Sequence, residues 1–195
     1  MGGRGAGSGA KSFNTGGGTG DGKTKYMDPG KLQNEMTSKS QIGGINTFID
    51  KHANEDHEFY AVINSKGTVI QYNEGQKSSV NGRYRDANGR FYQADKGSID
   101  IHNHPSGIAL PSTADLSTWS RTNEITTSFI VGNKTQGMKG NHITSMNKTN
   151  NFDQRRFERL IKMVENKTYT ATQYAKLLKT NEGKYGYKLK STYLK

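Results

Sequence analysis

Cysteine is absent from these 195 residues, and no apolar run approaches the roughly 18 to 20 residues needed to span a bilayer. The first absence excludes disulfides and thiolate metal sites. The second excludes a membrane-spanning helix, so no membrane role is expected. The N-terminus carries no apolar h-region, which argues against a secretory signal and, with the missing thiols, for a cytoplasmic location. Apolar residues make up only 30% of the chain. That suits one ordinary domain with polar tails.

Acidic residues are also in deficit, and unevenly so. Over 1–40 there are 6 basic and 3 acidic side chains, over 41–150 there are 11 and 10, and over 151–195 there are 11 and 4. The middle is close to neutral while the C-terminal segment carries most of the +11 excess. A basic segment of this kind attracts nucleic acid, an anionic membrane surface or an acidic protein partner, or simply forms a solvated helical face.

Glycine is plentiful instead, and 11 of its 24 positions fall within 1–40. Little there can be buried, so a flexible arm over 1–39 is the expectation. Its glycines lack the strand, helix and spacing of a phosphate-binding loop. From Ser40 the pattern becomes that of a folded chain. Ile42, Ile45, Phe48 and Ile49 predict an amphipathic helix ending near His52. Glu58-Phe59-Tyr60-Ala61-Val62-Ile63-Asn64 and Thr68-Val69-Ile70-Gln71-Tyr72 predict a hairpin, and Asp86-Ala87-Asn88-Gly89 a second turn. Strands are expected at 98–101, 128–132 and 142–146, with a helix over 112–122. Phe157, Leu160, Ile161 and Val164 mark one helix face, and Tyr174, Leu177 and Leu178 a second, shorter helix. This order predicts an α+β layered domain over 40–150, followed by a basic helical segment over 151–195.

The strand at 98–101 runs into Ile101-His102-Asn103-His104-Pro105-Ser106-Gly107. Residues i and i+2 of a strand project from one face, so His102 and His104 would point at one place. Pro105 and Gly107 turn the chain, which lets Asp115 return as a third ligand. Two imidazoles and a carboxylate leave one tetrahedral position open for water, as in catalytic zinc sites. A carboxylate nearby would take the proton from that water. Ser112 and Asp115 also fit a capping box at the start of the helix, and the two readings are compatible.

The pattern Glu…His-x-His-x7-Ser-x2-Asp resembles the JAMM motif of JAB/MPN-domain zinc metalloproteases. His102-Asn103-His104-Pro105-Ser106-Gly107 is similar to the RadC-like branch in particular. The resemblance covers about 40–150, with its specific part at 99–116. It implies a cytidine-deaminase-like layered fold with a central mixed sheet flanked by helices. It further implies Zn2+ held by His102, His104 and Asp115, with Glu58 as general acid/base and Ser112 hydrogen-bonding the oxygen of the tetrahedral intermediate. Glu74 and Glu55 are the alternatives to Glu58. The implied activity is hydrolysis of a peptide or isopeptide bond, and the implied partner is a protein or peptide substrate. The stretch from Gly82 to Tyr92 reads as hairpin, where RadC-like proteins usually reach the histidine strand through a helix. The glycine-rich leader is similar to leaders of some phage head-region proteins, which points to a bacterial or phage-infected cell. The alternative function is a nucleic-acid-binding RadC-like protein or a phage accessory protein in which the metal site is structural or vestigial.

Overall fold

The computed structural model describes residues 12–14, 24–82, 94–135, 138, 140–165 and 167–194. The turn expected at 86–89 and most of the glycine-rich leader lie outside them. In chain order the elements are β1 (Ser12–Asn14), β2 (Lys25–Tyr26), α1 (Pro29–Gln33), α2 (Gln41–His52), β3 (Phe59–Ile63), β4 (Val69–Glu74), β5 (Ser98–His104), α3 (Thr113–Arg121), β6 (Ile125–Gly132), β7 (His142–Lys148), α4 (Gln154–Val164), β8 (Thr168–Thr170), α5 (Ala171–Thr180), α6 (Glu182–Tyr185) and β9 (Tyr187–Tyr193). Among the described residues, no helix is long and apolar enough to cross a membrane.

Seven strands form one mixed sheet in the order β2-β4-β3-β5-β6-β7-β9. All neighbours are antiparallel except β5 and β6, which run parallel with α3 as their crossover. The fold class is therefore α+β, as the order of periodic segments predicts.

Each face of the sheet is covered. On one face, Phe48 from α2 and Leu32 from α1 pack on Ala61, Ile63, Val69, Ile101 and Val131. On the other, α3, α4 and α5 bring Leu116, Trp119, Phe157, Leu160 and Tyr174 onto Val62, Ile125 and Met146. β5 lies centrally between these layers and every one of its seven residues is buried. A strand buried on both faces cannot show a clean apolar–polar alternation. Here the polar members, Ser98, Asp100, His102, Asn103 and His104, have specific partners.

Two boundaries differ from the sequence expectation. Order does not begin at Ser40: Leu32 is wholly buried, the Gln33 side chain accepts from the Val69 N–H at 2.7 Å, and β2 pairs with β4. Leu32 and Met27 are isolated apolar residues without a helical period, so burial was invisible locally. Nor does the basic segment from 151 onward form a separate body. β9 extends the sheet beside β7, and α4 and α5 complete the core over Trp119.

Candidate metal centre

His102 and His104 end β5, and the chain turns through Pro105 and Gly107 into α3. Gly107 adopts φ of 79°, a left-handed conformation that glycine takes without the Cβ clash other residues meet. α3 opens with a full capping box. Ser112 Oγ accepts from the Asp115 N–H at 3.2 Å, while the Asp115 carboxylate accepts from the Ser112 N–H at 2.7 Å. The box that starts the helix thereby turns Asp115 back toward the end of β5. Ser112 Oγ also donates to Asp115 Oδ2 at 2.8 Å.

Three side chains converge. His102 Nε2 and His104 Nε2 are 3.0 Å apart; His102 Nε2 lies 3.5 Å from Asp115 Oδ1, and His104 Nε2 lies 3.5 Å from Asp115 Oδ2. Ligands about 2.05 Å from a tetrahedral zinc stand about 3.3 Å from one another. The distances here are close to that figure, each histidine approaching a different Asp115 oxygen, so the group could hold a metal ion. The tautomer suits it too: His104 Nδ1 lies 2.9 Å from the Ile108 carbonyl oxygen, which can only accept, so this nitrogen carries a proton and, in the neutral imidazole, Nε2 is left with its lone pair. His102 and His104 are buried, and the Asp115 side chain, 24% exposed, opens the cluster to solvent.

The electrostatics are those of a site that wants a cation. Burial opposes ionisation of Asp115, but the charge and hydrogen bonds of His102, then those of His104, hold its carboxyl well below the usual range. Burial would lower the His102 imidazole, yet Asp115, Glu58 and Asp100 together push it up to about 9. Removing the positive charge from this group of carboxylates is costly unless a metal ion replaces it.

Glu58 stands just before β3. Tyr60 pairs with His102, so Glu58, two residues earlier, shares the histidine face. Burial raises its carboxyl, opposed by the charges of His104 and His102, and the Val80 N–H donates to it. Glu74 pairs with Phe59 and therefore projects from the opposite face, where it meets Lys25 at 3.2 Å. Glu55 is exposed in the preceding loop. His52 is a core histidine stacked on Phe59 and hydrogen-bonded to Tyr72.

Two participants escaped the sequence reading. The Ile108 carbonyl, a backbone group, leaves no trace in residue type. Asp100 lies on the histidine face two residues before His102, and its carboxyl is raised to about 6 by burial, against hydrogen bonds from Ser128 and Tyr60 and the charge of His102. Its strand parity with the histidines was legible; its enclosure was not. Comparison with protein-family models, curated proteins and solved structures finds no match to this chain.

Proposed function

We propose that this protein is a zinc-dependent hydrolase of the JAB/MPN type, cleaving an amide bond in a protein or peptide. The observation that carries the proposal is the cluster of His102 Nε2, His104 Nε2 and Asp115 at tetrahedral spacing, with Glu58 on the same face. Two histidines and one carboxylate leave one of four tetrahedral positions open, the composition of catalytic rather than structural zinc. Among the described residues no fourth histidine or carboxylate completes the cluster.

A zinc ion there would supply Lewis acidity, which lowers the pKa of water from 15.7 to about 7. Glu58 then takes a proton from the attacking water and delivers it to the leaving nitrogen, so that water adds across the amide to give a carboxylic acid and an amine. Burial raises the Glu58 carboxyl, the direction that suits a group which must both accept and release a proton. Ser112 holds Asp115 by its hydroxyl; to stabilise the carbonyl oxygen of a substrate, its proton would have to turn away from Asp115 Oδ2. His102 and His104 sit in a nearly dry strand end, where each charge interaction is stronger than in water.

The test is metal analysis followed by incubation of the zinc-loaded protein with a mixed peptide library, products being read by mass spectrometry. One zinc per chain is expected, lost in His102→Ala and Asp115→Ala. Glu58→Gln should keep its zinc and lose cleavage by at least about 100-fold, the lower range for a general acid/base. A purified chain that takes up no zinc, or a Glu58→Gln protein that cleaves as well as the parent, overturns the proposal.

A further inference from the structure

Glu58 lies in a segment with no regular structure on its N-terminal side, yet a proton-transfer group must be held within a fraction of an ångström. The β3–β5 ladder pairs Tyr60 with His102 and goes no further. Beyond it, the side chain of Asn103 takes over. Asn103 Oδ1 accepts from the Phe59 N–H at 2.6 Å, and Asn103 Nδ2 donates to the His57 carbonyl at 2.9 Å. One amide thus grips the peptide on both sides of Glu58. The opposite edge of the same segment is held by backbone bonds, Glu58 N–H to Gln76 at 2.9 Å and Gly75 N–H to the Glu58 carbonyl at 2.7 Å.

Further asparagines brace the loop behind. The Asn133 side chain donates to the Glu55 carbonyl, while its backbone N–H donates to the His104 carbonyl at 3.0 Å. Asn141 Nδ2 donates to the Ala53 carbonyl at 2.7 Å, and Asn54 Oδ1 accepts from the Lys134 N–H at 3.0 Å. An asparagine amide both donates and accepts, so it can mimic a neighbouring strand for a chain that has left the ladder. Asn103 is fully buried and alternates with the two histidines, so it projects from the face opposite to theirs. Three consecutive residues of one strand therefore address two sides of one site.

We propose that Asn103 is a positioning residue, coupling the histidine strand to Glu58 so that metal ligands and proton-transfer carboxylate are placed by one rigid element. The inference rests on the hydrolase reading, and its test does not depend on finding a substrate. Cobalt(II) replaces zinc in the full chain, and the visible absorption of the ion reports the groups around it. Glu58→Gln should alter the cobalt spectrum without loss of cobalt. Asn103→Ala should alter it in the same sense, and the double variant should match Glu58→Gln alone, because Asn103 acts through Glu58. Hydrogen exchange at the Phe59 amide should become about five- to tenfold faster in Asn103→Ala, as expected for loss of one ordinary hydrogen bond, with the β7 amides unchanged. Asn103→Asp keeps the shape and the acceptor toward Phe59 but loses the donor toward His57; it serves if the alanine variant does not fold, with the same spectral change expected.

An Asn103 variant with the parent cobalt spectrum, or one whose effect adds to that of Glu58→Gln, overturns the proposal. So does unchanged exchange at Phe59. If the parent chain binds no cobalt, the metal reading fails instead, and the exchange measurement still decides whether Asn103 holds the segment.

Discussion

His104 can offer Nε2 to a cation because its other nitrogen is committed to the Ile108 carbonyl, and Asp115 can face it because Ser112 holds the carboxylate. Ser112→Ala removes the side-chain cap of α3 together with one hydrogen bond to Asp115. A loss of about 1 kcal/mol in stability is expected from the cap, and a fall of about 10- to 100-fold in zinc affinity from the loosened ligand. Thr170→Ala removes the equivalent cap of α5 and should cost similar stability with no change in zinc affinity. Urea unfolding and calorimetric zinc titration would separate the two. His52 supplies a different signal. Burial, then the charge of Lys51, lowers its imidazole to about 3, whereas in an unfolded chain it titrates near 6.5. Between those values only the unfolded chain binds the proton. Stability should therefore fall as pH drops from about 6.5 toward 3, by at most about tenfold in the folding constant per pH unit. Urea midpoints at pH 7 and pH 5 should separate more for the parent than for His52→Leu.

The unit that builds the site is β5-α3-β6, in which a parallel pair places the crossover helix over the carboxyl end of the first strand. Ligand sites in α/β arrangements form at such strand ends. Close backbone packing makes the turn exact. A Cβ on Gly132 of β6 would come 2.4 Å from the Gly107 carbonyl oxygen and 2.7 Å from its carbon. Both are main-chain atoms and cannot swing aside. Gly132→Ala should thus push away the turn that follows His104, at about 1 to 3 kcal/mol, and weaken zinc binding as well. A thermal melt with and without zinc checks this: a stabilisation by zinc as large as that of the parent would contradict it. Helices and strands at this scale followed from local pattern, since each carries its own period and caps. The β5–β6 pairing did not, because register between distant strands depends on both partners.

Across the whole molecule, the basic C-terminal segment is part of the core rather than an appendage. Eight of the sixteen buried residues in the cluster around Trp119 come from beyond Asn150, among them Phe157, Tyr174, Tyr187 and Leu189. Lys148 at the end of β7 donates to the Trp119 carbonyl at 2.7 Å and to the Thr122 carbonyl at 2.5 Å, and its Nζ lies 5.1 Å from the ring centres of both Trp119 and Phe152, which joins α3 to the start of the C-terminal segment. Truncation after Asn150 should accordingly leave a chain without a cooperative melt, and Phe157→Ala alone should cost about 3 to 5 kcal/mol. Circular dichroism on heating reads both; a sharply melting truncated chain would show that the expected boundary at 150 is real.

His102, His104, Ser112 and Asp115 were legible in the amino-acid order because a strand's two-residue period and a helix's capping box are short-range geometry. Glu58, expected to open a strand, stands just before β3, and only the register shows that it shares the histidine face while Glu74 projects from the other. Only the tertiary structure decided that 24–39 folds onto the sheet, that β9 closes its far edge, and that Asn103 reaches across to the segment bearing Glu58. The difference is physical. Local conformation is governed by backbone sterics and neighbouring side chains, whereas strand order and buried amide networks depend on which distant groups exclude water together.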